Sequence, residues 1–169
     1  MSWDTADAVR NMLRRARLVE TDDASGQQTM RVVGLAGEEL DKVVRLQPYG
    51  FTSHPPAGSE GLIASLGGRS DRAMLLGIEH PKYRPGGLGP GSVAIYDQHE
   101  NVVSLVESNL RIKHASRIEI AVGDTKIVIT AGGVQIDGPS LKHNAKNVGD
   151  SHIHGGVIPG GANTTEPAN

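Results

Sequence analysis

His152 and His154, in the stretch SHIHGGVIPGG from Ser151 to Gly161, are the residues whose type and spacing point most directly to chemistry. In an extended segment residues i and i+2 project to the same face, so both imidazoles point one way and Ile153 the other. One chain then offers two nitrogen ligands, which leaves most of a metal's coordination sphere empty. Either the missing ligands come from elsewhere or the pair holds no metal. A hydrolytic metal centre would need further His or carboxylate ligands and an open coordination position. Only Asp150 is near in sequence, and its expected place is a turn cap or a hydrogen bond to an imidazole from behind. The chain is therefore read as a non-enzyme. The other five histidines, His54, His80, His99, His114 and His143, have no ligand spacing and are expected on the surface or in packing.

The elements that must position this pair are constrained by composition. The chain has 169 residues, 22 of them Gly, and no cysteine, which excludes disulfides and thiolate metal sites. Its aromatic residues are Trp3, Tyr49, Phe51, Tyr83 and Tyr96, so everything after Tyr96 must build its interior without a large ring. No apolar run has the length of a membrane span, and the N-terminus lacks a signal-peptide pattern, so a soluble protein made in a cytoplasm is expected. Up to Tyr96 there are 11 basic and 11 acidic residues, and beyond it 6 and 8, a balance that argues against a nucleic-acid partner.

Val9, Met12, Leu13 and Ala16 recur at helical spacing after Ser2 and Asp4 as candidate caps, which predicts a short helix over residues 1–17. Arg14, Arg15 and Arg17 would then complement the dipole at its C-terminal end. Strands are predicted at Arg17–Thr21, Thr29–Leu35, Lys42–Leu46, Gly61–Ser65, Ala73–Glu79 and Ser92–Tyr96, separated by ASG, AGEE, PPAGS, GGRSD and PGGLGPG. Such a density of short strands predicts a small closed barrel of the OB or a related type over residues 18–97. Tyr49 and Phe51, in PYGFTSHPP, would plug the barrel or pack against a neighbouring subunit; base stacking is the alternative.

After Tyr96 short aliphatic runs alternate: Val102–Val103 with Leu105, Leu110 with Ile112, Ile118 with Ile120 and Val122, Ile127 with Ile129, and Val134 with Ile136. A sandwich would have to fill a gap of about 10 Å between its sheets, normally with rings or Leu-rich faces. Neither is present. A single-chain solenoid would lack rungs and a C-terminal cap. A narrow prism of intertwined identical chains needs only thin side chains directed at a shared axis, and it also pairs the strand edges. The reading is thus mainly β: a helix, an OB-fold barrel, a trimeric β-helix stem over residues 98–150 and an apex over residues 151–169. On a threefold axis, His152 and His154 of three chains supply six imidazoles. Such a closed octahedral site suits Fe(II) or Ni(II) better than Zn(II) and acts as a clamp without catalysis. Gly155–Gly156 would be where the crowded chains reverse.

PYGFTSHPPAGSEGLI, LGGRSDRAMLLGIE, the β-rich stretch that follows and SHIHGGVIPGG, in that order, resemble the Mu-like family of phage baseplate assembly proteins, baseplate assembly protein V, the central spike of a contractile tail. The resemblance covers nearly the whole chain; the family pattern often has Thr where Ile153 stands. It implies a homotrimer with an N-terminal OB-fold, an intertwined β-helix, and an apex holding one iron ion per trimer through His152 and His154. It implies partners in the baseplate hub and tail tube at the barrel end, and piercing of the host outer membrane by the apex when the sheath contracts. It places the protein in the virion, at the tail tip, after assembly in the host cytoplasm, with no small-molecule substrate and no nucleic acid. Because imidazole must be neutral to bind a metal, the clamp would weaken well below a histidine pKa of about 6.5. The rival from the binding class is an OB-fold nucleic-acid-binding protein with a trimerising β tail.

Overall fold

The computed structural model describes residues 5–153, 155 and 156. It divides into two compact units, Met1–Lys113 and His114–Asn169. Ser2 and Asp4, expected as helix caps, lie outside the described residues, as does His154.

The helix α1 covers only Thr5–Asn11, and strand β1 begins at Leu13 and runs to Asp22. The expectation of a helix to residue 17 is therefore corrected: Arg14, Arg15 and Arg17 belong to a strand. From Leu13 to Leu18 exposed and buried residues alternate strictly, the two-residue period of a half-buried strand. Arg14 falls on the inner face, where hydropathy would place an apolar residue. Its guanidinium is almost fully buried, bonded through Nη1 to Glu38 Oε2 at 2.5 Å and through Nη2 to Ser65 Oγ at 3.0 Å. A cation inside is tolerated because it is paired and hydrogen-bonded there.

Strands β2 (Thr29–Val33), β3 (Glu39–Arg45), β4 (Glu60–Ser65) and β5 (Ala73–Glu79) complete a barrel closed in the order β1-β2-β3-β5-β4. All neighbours are antiparallel except β3 and β5. This is the five-stranded closed barrel expected of an OB-type domain. Ala16, Leu18, Met30, Val32, Val43, Ile63 and Leu75 fill it, with Leu40, Ala73 and Ile78 packed around them. No ring enters this core. Tyr49 and Phe51 are exposed, which overturns the barrel-plug reading. At one end, α1 lies against Gly68, whose φ is +72° and where an added Cβ would collide with the Ala8 carbonyl.

The predicted sixth strand, β6 (Val93–Tyr96), pairs outside the barrel. With β7 (Val102–Val106) and β8 (Asn109–Lys113) it forms an antiparallel meander. The register aligns Val93 with Leu105 and Ile95 with Val103, then Leu105 with Leu110 and Val103 with Ile112. One face therefore carries two rows of three aliphatic side chains. All six are exposed, by 41% to 65%, so none of the described residues covers that face.

The second unit repeats the plan. Strands β9 (Arg117–Val122), β10 (Thr125–Thr130) and β11 (Gly133–Asp137) form a meander with rows Ile118–Ile129–Val134 and Ile120–Ile127–Ile136. Of these, Ile120, Ile129, Val134 and Ile136 are exposed. The opposite face carries ion pairs between Arg117 and Glu119 and between Lys126 and Asp137, the second at 3.8 Å. A bond from Arg117 holds the Glu119 carboxyl below the usual carboxylate range. A two-residue hairpin follows, β12 (Lys142–His143) with β13 (Lys146–Asn147).

Candidate metal-binding apex

The hairpin β12–β13 delivers the chain to the histidine pair through a short hydrogen-bonded path. Val148 N–H donates to the Leu141 carbonyl at 2.8 Å, which closes the hairpin's open end. Asn147 then acts in two directions: its Oδ1 accepts from Gly149 N–H at 3.0 Å, and its Nδ2 donates to Ser151 Oγ at 2.8 Å. His152 sits at the end of this turn, exposed, with its backbone N–H on the Gly149 carbonyl at 3.2 Å and its Nδ1 on the same oxygen at 2.6 Å.

That last contact decides the chemistry available to His152. A carbonyl accepts only, so Nδ1 carries the proton and the ring lone pair is at Nε2. Metal-ligating histidines are commonly oriented in this way, by a backbone carbonyl that fixes tautomer and ring plane. At Nδ1 of His152 this role falls to the backbone oxygen of Gly149. His152 thus fits a nitrogen-ligated cation. His154 lies outside the described residues. Gly156 has φ +77°, in the left-handed region that favours glycine.

The other histidines serve local structure. His114 Nδ1 accepts from Ser116 N–H at 3.2 Å and Arg117 N–H at 3.1 Å, shaping the turn into β9. His80 Nδ1 accepts from Lys82 N–H at 3.2 Å, and its ring lies 4.4 Å from that of Tyr83. His54 is 3.8 Å from Asp23. Among the described residues no group of three His, Asp or Glu side chains is placed to hold a metal ion. No described helix is long and apolar enough to cross a membrane.

Two features escaped the sequence. The base of the 46–59 loop is clamped by Arg45, which donates to Gln28 Oε1 at 2.8 Å, to the Ser53 carbonyl at 2.6 Å and to Ser53 Oγ at 2.8 Å. Partial burial lowers the Arg45 pKa while Asp23 opposes the shift. Beside this loop is a cleft of about 660 Å³, bounded by residues 52–59, 78–83 and 94–99. Its walls are distant in sequence; the only local sign was the concentration of Pro and aromatic residues in PYGFTSHPP.

Comparison with known proteins accounts for both ends of the chain. Residues 15–82, nearly the whole barrel, match the family described as Bacteriophage Mu Gp45, N-terminal, and residues 150–168 match the GpV Apex motif. Over 150 residues the chain is 33% identical to the baseplate puncturing device gp45 of Escherichia phage Mu, covering 86% of this chain and 76% of that protein. The chain belongs to the phage Mu gp45 family. A second gp45 relative, the Mu-like prophage FluMu protein gp45 of Haemophilus influenzae, is 28% identical over 109 residues, covering 64% of this chain and 59% of its own length. In this gp45-family chain the apex match contains His152 and His154, and the barrel match ends just past β5.

Proposed function

We propose that this chain is the baseplate spike of a contractile phage tail, a structural homotrimer that punctures the host outer membrane and carries no enzymatic activity. The observation that carries the reading is the pair of three-stranded meanders, each with two aliphatic rows on one face, most of whose side chains are exposed among the described residues. Fully burying a Val, Leu or Ile is worth roughly 1.5–3 kcal/mol. Rows that stay half exposed forgo much of that in a lone chain. Two further copies wound about a common axis supply the cover, and the edge strands β6, β8, β9 and β11 gain neighbours at the same time. The name of the phage Mu relative, a baseplate puncturing device, supports the same reading.

A spike driven by a contracting sheath must not buckle. Backbone groups paired between chains and a thin aliphatic interior make a stiff stem over residues 98–150. At the apex, residues 151–169, His152 and His154 of three chains would hold one iron ion. These imidazoles would donate their lone pairs to the ion, which would tie three chain ends together against fraying; the Gly149 carbonyl orients His152 for that role. The barrel end would meet the baseplate hub and tail tube, which places the protein in the virion tail after assembly in the host cytoplasm. Molar mass in solution together with metal analysis tests the proposal, with three chains to one ion expected. A well-folded single subunit without bound cation would refute it.

A further inference from the structure

We infer that the exposed aromatic tip of the 46–59 loop is a knob that seats in the cleft of the adjacent subunit, so that three barrels lock head to tail around the axis. The inference rests on the trimeric reading above. It starts from an imbalance on one loop: Tyr49 is 104% exposed and Phe51 65% exposed, two of the chain's five aromatic side chains turned fully or largely to water.

The tip is not loose. Phe51 N–H donates to the Pro48 carbonyl at 3.1 Å, closing a turn over Gly50, whose φ is +87°. Below it, Ser53 N–H donates to Gln47 Oε1 at 3.2 Å, and Arg45 and the buried Gln28 both donate to the Ser53 carbonyl. An aromatic tip held by a buried polar base is pre-organised, and rigid aromatic anchors are the groups that bind at least entropic cost.

The receiving surface includes the following residues of the same loop. Pro55, Pro56, Ile78, Tyr83, Ala94 and Ile95 line the cleft, to which neither Tyr49 nor Phe51 contributes. Its volume, about 660 Å³, falls within the roughly 300–1,000 Å³ of sites that enclose ring-sized groups. The Tyr83 ring, already tilted 40° against His80, offers an incoming ring an aromatic partner.

Three observations select a second copy as occupant. Knob and cleft are consecutive in sequence, residues 48–51 and 52–56, so both stand at the same level of the barrel, the end from which β6 leaves. A protrusion and a recess formed by different residues of one subunit make a heterologous contact, which closes into a ring under cyclic symmetry. Ile95, finally, belongs both to the cleft wall and to the uncovered aliphatic face of β6–β8, so the cleft is continuous with the surface that trimerisation is proposed to bury.

The chain has no cysteine, so engineered thiols report cleanly. In the full-length protein carrying Phe51→Cys and Ala94→Cys, light scattering under reducing conditions gives the oligomeric state, and mild oxidation followed by non-reducing electrophoresis gives the linkage. The expected result is a trimer whose band shifts from one chain to three. A trimer whose band stays at one chain overturns the inference and leaves the trimeric reading standing, whereas a folded monomer overturns both. As a second measurement, Tyr49→Ala with Phe51→Ala should lower the barrel's melting temperature in the trimer. An unchanged melting temperature would mean that the rings face some other protein, and would overturn the inference as well.

Discussion

Ile112 provides the sharpest test of the stem. It is 50% exposed in the single chain, in the row Ile95–Val103–Ile112. Assembly would withdraw the exposed half, worth about 1 kcal/mol when full burial of such a side chain is worth roughly 1.5–3 kcal/mol. Truncation by Ile112→Ala removes that gain in each of three chains, so the trimer should lose about 3 kcal/mol, roughly a hundredfold in its association constant at 1.4 kcal/mol per decade. Ile112→Asp goes further, since it would bring three carboxylates together in a water-poor interior, and no assembly is expected. Arg111, next in sequence but on the opposite face, is the control; Arg111→Ala should change stability by less than about 0.5 kcal/mol. Sedimentation equilibrium over a concentration series reads all three. Should Ile112→Asp assemble as the unmodified chain does, the aliphatic rows are not an interface and the reasoning fails.

Replacing both His152 and His154 by Ala should abolish bound metal and lower the melting temperature of the apex while leaving the trimer intact; metal analysis and light scattering on one sample separate the two effects. Gly68→Ala should expel α1 from the barrel end, at a cost of about 1–3 kcal/mol for the left-handed backbone alone, with faster proteolysis near residue 12 as the readout. The Asp97 carboxyl is held below the usual range, first by Asn101 and then by the backbone N–H groups of His99 and Asn101. Its folded pKa is depressed, so its contribution is complete at neutral pH and disappears as pH drops through the folded value, below the ordinary aspartate range. Asp97→Asn should flatten that part of the stability profile, measured by denaturant unfolding between pH 2 and about 5.

Most strands between Thr29 and Asp137 were legible because they are short aliphatic runs bounded by turn residues, and β4, β5 and the aliphatic stem strands stand within a residue or two of where those runs lie, whereas β3 begins three residues before the predicted start and the hairpin β12–β13 carries no such run. β1 was misread because a buried, ion-paired Arg14 breaks the hydropathic alternation that its backbone obeys. The position of β6 outside the barrel was invisible for a different reason: pairing partners are set by topology, and Val93–Tyr96 has the same local pattern as a barrel strand. At the apex, the histidine spacing was readable, but the Gly149 carbonyl behind His152 was not, since backbone acceptors leave no mark in side-chain identity. The cleft could not be read at all, being assembled from segments some forty residues apart.

The contrast between a barrel that completes itself and meanders that do not bears on how the protein is made. The barrel has a sealed ring of strands and a filled interior on one chain, so it can fold as it leaves the ribosome. On the trimeric reading, the exposed aliphatic faces of the meanders would wait for sister chains, an encounter that is concentration-dependent. During that interval they are open to edge-to-edge clumping. The self-contained barrel would then keep the nascent tail dispersed, and shortening it should send the product into inclusion bodies.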